Sequence, residues 1–280
     1  MLLQRVLTAL LLAPFAIALI VLLPTGALAL AIGALFLLAW WEWTQLAGIT
    51  STTERGSVLL ASAVVFALLW WLRDGVLWPV LAGVGVAWWL LVCLWLRHFA
   101  FAAAPTRENR WLKLLAGALV IFPAWSSALL IHGGALGDAW WPPASGHWWV
   151  LLALLIVWAA DIGAYFSGRY FGKRKLAPTI SPGKTWAGVY GAFVAGAALA
   201  ALGGWLLGVH GAALLGLIVL AIFTVAASVV GDLLESLLKR HAGVKDSGTL
   251  FPGHGGLLDR MDSVFAALPV FALGKLLLGL

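Results

Sequence analysis

The chain has 280 residues, of which 63% are hydrophobic and only 10% charged, with a formal net charge of +6. Too little polar surface is available to wrap a soluble domain of this size, so composition excludes an ordinary soluble protein and makes a bilayer the natural solvent. A lone cysteine, Cys93, lies in an apolar run; it excludes an intramolecular disulfide and a thiolate metal cluster, and reads as a small core residue.

A spanning helix needs about 20 mainly apolar residues. Nine such runs can be placed, near residues 6–23, 27–46, 57–72, 77–96, 112–131, 148–167, 186–207, 212–236 and 263–279. The predicted fold class is therefore all-α: a polytopic membrane protein of about nine transmembrane helices, with two polar loops on one side forming the site. Residues 1–147 read as scaffold helices and residues 148–280 as the helices that carry the site.

Arg5 before the first run, and Ala27-Leu28-Ala29 after it, resemble a signal peptide with its cleavage site. The apolar core before Pro24 is longer than a typical signal core and hydrophobicity resumes at once, so the run is kept as a membrane helix. Tryptophans cluster near the run ends (Trp40, Trp41 and Trp43; Trp70 and Trp71; Trp148 and Trp149), where an amphipathic indole meets the headgroups. Trp88 and Trp125 fall inside runs and read as packing or lipid-facing residues. Glu42, at the end of the second run, is the one ionisable residue of the first half expected at membrane depth, and a partner close by explains it more simply than catalysis.

With nine spans, 15 of the 17 Lys and Arg residues fall on one side, leaving only Arg73 and Lys275 opposite. Cytoplasmic loops are enriched in these residues, so that side is expected to be cytoplasmic. The excess charge is then explained by topology and anionic lipid, and nucleic acid is not needed as a partner.

From Asp161 onward the character changes. Two polar loops, 167–185 and 238–262, hold nine of the basic residues, among them Arg169 and Lys173, and carboxylates flank both. In Gly231-Asp232-Leu233-Leu234-Glu235, continuing an apolar helix, Asp232 and Glu235 are one turn apart and share a face. Ionised groups near hydrocarbon are costly unless paired, so they are expected to face a watery cavity or to pair with Lys239 or Arg240.

The following stretch, Lys245-Asp246-Ser247-Gly248 through Pro252-Gly253-His254-Gly255-Gly256 to Asp259-Arg260-Met261-Asp262, combines glycine turns with acids. Glycines permit the close backbone approach that a phosphate-cradling loop requires. Asp259 and Asp262, at i and i+3 on the opening turn of the last helix, offer the hard oxygen ligands that suit Mg²⁺.

The earlier loop contains Ser181-Pro182-Gly183-Lys184-Thr185. A nucleotide P-loop would need glycine where Pro178 stands, so that motif is excluded. Lys184 and backbone amides before a helix start still make an anion site. Carboxylates, cations and glycine turns on one side fit metal-assisted phosphoryl or nucleotidyl transfer.

Residues 236–246, the Pro252-Gly253-His254-Gly255-Gly256 segment and Asp259-Arg260-Met261-Asp262 closely resemble the phosphatidate cytidylyltransferases, or CDP-diacylglycerol synthases. Asp161-x-Gly-Ala-Tyr and Ser181-Pro182-x-Lys184-Thr185 resemble that family too. The chain departs from its pattern at Gly183, where a basic residue is frequent, and at Ala187, where an acidic one is.

The resemblance implies transfer of a cytidylyl group from CTP to phosphatidate, with Mg²⁺ and room for a second metal ion. It implies Asp232, Asp246, Asp259 and Asp262 as metal ligands, with Lys239, His254 and Arg260 completing the catalytic set. Ser181, Lys184, Thr185, Arg169, Lys173, Ser236, Arg240, Gly255 and Gly256 would hold substrate. The setting implied is a multi-pass protein of the inner (cytoplasmic) membrane, surrounded by lipid and compatible with a homodimer. The competing readings are a CTP-dependent polyprenol or lipid kinase and, from another class, an ion transporter, against which stand the lack of internal repeats and the one-sided polar groups.

Overall fold

Apolar runs broken by Pro, Gly and charged residues leave the backbone one economical choice in lipid, which is to satisfy its own hydrogen bonds as helices. The computed structural model describes residues 13–133, 145–250 and 255–280. Among these, α1 (Ala13–Leu22) is a short apolar helix, and eight more are long and apolar enough to cross a membrane. They are α2 (Thr25–Leu46), α3 (Thr52–Trp71), α4 (Leu77–Leu96), α5 (Arg107–His132), α6 (Gly146–Phe171), α7 (Trp186–Leu206), α8 (Gly211–His241) and α9 (Leu258–Leu278). Arg5 and His254 lie outside the described residues.

Several helices run past their apolar stretch into polar sequence. α8 continues to His241 and α9 begins at Leu258, so Asp232, Glu235, Asp259 and Asp262 sit on helices, as their spacing predicts, and Asp246 lies in the connection between them. Between α6 and α7 a two-stranded antiparallel hairpin, β1 (Lys175–Ala177) and β2 (Ser181–Thr185), pairs Lys175 with Thr185 and Ala177 with Ser181. From sequence, residues 167–185 read as one polar loop without strands.

Contacts between distant elements place four connections on one face. Glu42 near the end of α2 meets the start of α9, His241 at the end of α8 bonds the Phe99 carbonyl between α4 and α5 at 2.6 Å, and Arg240 Nε donates to Ile180 O of the hairpin connection at 3.3 Å. Other contacts join the opposite ends: Thr25 Oγ1 lies 3.0 Å from His132 Nδ1, and His147 Nδ1 lies 3.1 Å from Ile20 O.

Small residues set the closest crossings, as is usual where lipid provides no hydrophobic drive between helices. A Cβ on Gly163 of α6 would come 2.5 Å from Gly191 O and 2.7 Å from Ala195 Cβ of α7. Two of the three tryptophans near the end of α2 face the interior instead of the headgroups. Trp40 and Trp43 are buried, with Nε1 of each donating at 2.8 Å to Ser62 Oγ and Lys113 O respectively. Indole N–H groups at those positions find interior acceptors, which outweighs their preference for the interface. Trp125 is likewise buried and donates to Ala29 O at 3.1 Å.

Candidate active site

Gly231 brings α8 and α9 into contact at the depth of the polar face: a Cβ there would press on the Asp262 carbonyl and lie 2.9 Å from Ala266 Cβ. The crossing turns Asp232 and Glu235 of α8 toward Asp262 of α9, and one carboxylate oxygen of each lies within 4.8 Å of the others. Like charges so close require cations. Lys184, at the end of β2, places Nζ 2.5 Å from Asp232 Oδ2, and Lys239, one turn beyond Glu235, places Nζ 2.7 Å from Glu235 Oε2.

Glu235 is 2% exposed, and its Oε1 is buried with no hydrogen-bond partner. A buried carboxylate oxygen without a donor is costly unless a cation meets it. Three hard oxygen donors, one of them unsatisfied, fit a divalent ion such as Mg²⁺.

Asp259 goes elsewhere. Its Oδ1 accepts from Lys239 Nζ at 2.6 Å, and its Oδ2 accepts from Ser247 N at 2.9 Å and Gly256 N at 2.8 Å. Although Asp259 and Asp262 are i and i+3, the first reaches back to the α8–α9 connection while the second faces α8. Gly255, at φ +79°, makes the turn that aims the Gly256 amide at Asp259.

The start of α9 is held from the other half of the chain. Leu257 stands at the N-cap and has no side chain able to cap. Glu42, 8% exposed, supplies the missing acceptor: Leu257 N donates to Oε1 at 3.0 Å and Leu258 N to Oε2 at 2.8 Å. A carboxylate there also suits the positive end of the helix dipole.

The remaining expected residues are distributed around this centre. Thr185 caps α7, accepting from Gly188 N at 3.2 Å, and Ser236 Oγ donates to Asp232 Oδ1 at 3.4 Å. Arg169 NH1 donates to Tyr165 OH at 2.8 Å, and Arg240 braces the hairpin. Ser181 is half-buried on β2, while Lys173, Asp246 and Arg260 are exposed.

A cavity of about 540 Å³ opens beside the acids, between α6, α7, α8 and the hairpin. Asp161, Arg169, Lys184, Thr185 and Asp232 give it polar walls, and Ala160, Ala164, Val189, Ala192 and Val229 give it an apolar one. Asp161 and Glu235 were absent from the expected site residues. The signal for each was an acid within an apolar helix run, and for Glu235 also its i, i+3 relation to Asp232.

The amino-acid sequence of the chain is similar to that of a known group of proteins over nearly its whole length. The cytidylyltransferase family model matches residues 3–277. The chain belongs to the cytidylyltransferase family. It is 43% identical over 276 residues to a phosphatidate cytidylyltransferase of Pseudomonas aeruginosa, covering 97% of this chain and 96% of that one. It is 39% identical over 287 residues to one of Haemophilus influenzae, covering 97% and 98%, and 37% identical over 245 residues to one of Brucella suis, covering 84% and 78%.

Proposed function

We propose that this membrane protein is a phosphatidate cytidylyltransferase, joining CTP and phosphatidate to give CDP-diacylglycerol and pyrophosphate at the cytoplasmic face of the inner membrane. The observation that carries the reading is the convergence of Asp232, Glu235 and Asp262 with Lys184 beside a cavity that is polar on one wall and apolar on the other.

In this proposal a phosphatidate oxygen attacks the α-phosphorus of CTP, the bond from that phosphorus to the bridging oxygen breaks, and pyrophosphate leaves. Asp232, Glu235 and Asp262 would hold Mg²⁺, whose contribution is to neutralise charge on the reacting phosphate oxygens. Lys184 and Arg169 line the cavity and orient the lipid phosphate there, with the alanines and valines against its glycerol and acyl roots. Asp259 is proposed to position rather than to ligate, since it binds Lys239 and the glycine turn to the helix that carries Asp262. Residues 1–147 would serve as scaffold, with Glu42 as their contribution to the site's geometry.

CTP labelled in its α-phosphate, or separately in its γ-phosphate, tests the assignment with purified protein and phosphatidate. The α label should enter lipid and the γ label should leave as pyrophosphate. A γ label in lipid, with release of CDP, would replace the proposal with a lipid kinase.

A further inference from the structure

Asp161, Tyr165 and Arg169 follow one another at i, i+4 and i+8 along α6, so they share one face of the helix, and all three line the cavity. Tyr165 is the polar member of that face next to the cation proposed to meet the lipid phosphate.

Two cations line the cavity, Lys184 and Arg169, and they differ in their partners. Lys184 Nζ lies 2.5 Å from Asp232 Oδ2, so its charge is already met by a carboxylate. Arg169 forms no ion pair among the described residues, where the pairs present are Arg73–Asp74, Lys184–Asp232, Lys239–Glu235 and Lys239–Asp259. Its NH1 donates instead to the Tyr165 hydroxyl at 2.8 Å, and its guanidinium carbon lies 6.0 Å from the centre of that ring.

A phenol oxygen is neutral. It holds the guanidinium by one N–H and leaves the positive charge and the remaining donors of the fork for an anion. Without it, an exposed arginine in the last turn of a helix would move among rotamers that binding must then fix. The tether is itself braced, since Phe166 stands edge-on to Tyr165 with 5.3 Å between ring centroids and 76° between planes. The backbone beside Arg169 is held against the hairpin: a Cβ on Gly168 would come 3.2 Å from Thr185 Oγ1.

Around this pair Phe166, Tyr170 and Phe171 are each more than half exposed. Aromatic rings gather where a helix passes from hydrocarbon to headgroups. A phosphate reaching Arg169 from that side brings its acyl chains with it, whereas a soluble nucleotide does not.

We infer that Tyr165 is a positioning residue for the lipid substrate: its hydroxyl holds Arg169, with its charge unpaired, at the cavity to receive the phosphate monoester of phosphatidate. This rests on the reading of the chain as a phosphatidate cytidylyltransferase. Tyr165 acts through Arg169 and takes no part in the chemistry at the α-phosphorus of CTP.

Steady-state kinetics of the full chain in mixed micelles, with dioleoylphosphatidate and CTP varied separately, test the inference. Tyr165→Phe should raise KM for phosphatidate about fivefold, the scale of one lost hydrogen bond, with kcat and KM for CTP within about twofold of wild type. Arg169→Leu should raise KM for phosphatidate further, and adding Tyr165→Phe to it should change nothing more, because the tyrosine works only through the arginine. An unchanged phosphatidate KM in Tyr165→Phe, additive effects in the double variant, or a rise in both KM values together would overturn the inference and leave the catalytic reading standing. Calorimetric titration of the same proteins with dioctanoylphosphatidate reads the contact without turnover. Binding that Tyr165→Phe weakens, in a wild type that forms no CDP-diacylglycerol, would support the phosphate contact while the catalytic reading fell. A wild type that binds no phosphatidate would overturn both.

Discussion

Glu42 and Ser247, 205 residues apart, are in direct contact: Ser247 Oγ lies 2.9 Å from Glu42 Oε2. The same hydroxyl is 3.0 Å from Asp259 Oδ2, so its one hydrogen bridges a carboxylate of α2 and a carboxylate of α9. Gly248 and Gly256 crowd the Glu42 carboxylate so closely that a Cβ on either would strike it. The first half of the chain thus fixes the start of the helix that bears Asp262.

Glu42→Gln keeps the volume but sets an amide NH₂ against backbone N–H donors. Turnover should fall about 100-fold, the scale expected when reacting groups shift by about 1 Å, and the unfolding midpoint should drop as the α9 cap weakens. Glu42→Asp should recover part of both. If Glu42 were only a surface group with a casual partner, Gln would leave turnover within about twofold of wild type, and steady-state kinetics would show it.

Lys239 neutralises Glu235 and Asp259 together, with side chains only 14%, 2% and 7% exposed. Removing it by Lys239→Met strands two buried carboxylates and should cost about 3 kcal/mol of stability. Adding Glu235→Gln should return part of that stability while activity stays lost. Denaturant unfolding of the single and double variants checks this. Additive losses would mean that the pair is not coupled.

The helices were legible because lipid imposes one structural solution on an apolar run, and each of the eight long helices covers its predicted stretch to within one residue. The residues that pack two distant elements together were not. Glu42 reads from sequence as an acid seeking a partner, but nothing in its neighbourhood names Leu257, Leu258 or Ser247. Asp259 and Asp262 share a helical face by spacing, yet their different partners depend on where α8 crosses, which Gly231 sets. The hairpin escaped notice because three- and five-residue strands containing Pro182 carry too little periodicity to register.

The shared face of the four polar connections can be assigned to a side of the membrane with single cysteines. After Cys93→Ala, cysteines at Gly183 and Thr249, both exposed, should resist an impermeant thiol reagent in sealed right-side-out vesicles and react once the membrane is opened. A cysteine at Asp74, whose side chain is 84% exposed in the connection between α3 and α4, should react in sealed vesicles. The reverse pattern would place the site outside the cytoplasm.

In the proposed mechanism Asp232, Glu235 and Asp262 seat the divalent ion while Asp259 holds the scaffold around it. Mn²⁺ binding to the purified protein, followed by electron paramagnetic resonance without substrate, addresses this independently of turnover. Glu235→Gln and Asp262→Asn should each weaken binding at least about 10-fold, since each removes an oxygen ligand, whereas Asp259→Asn should change it by less than about threefold. Loss of Mn²⁺ binding in Asp259→Asn, with binding retained in Glu235→Gln, would contradict the account and move the metal toward the α8–α9 connection.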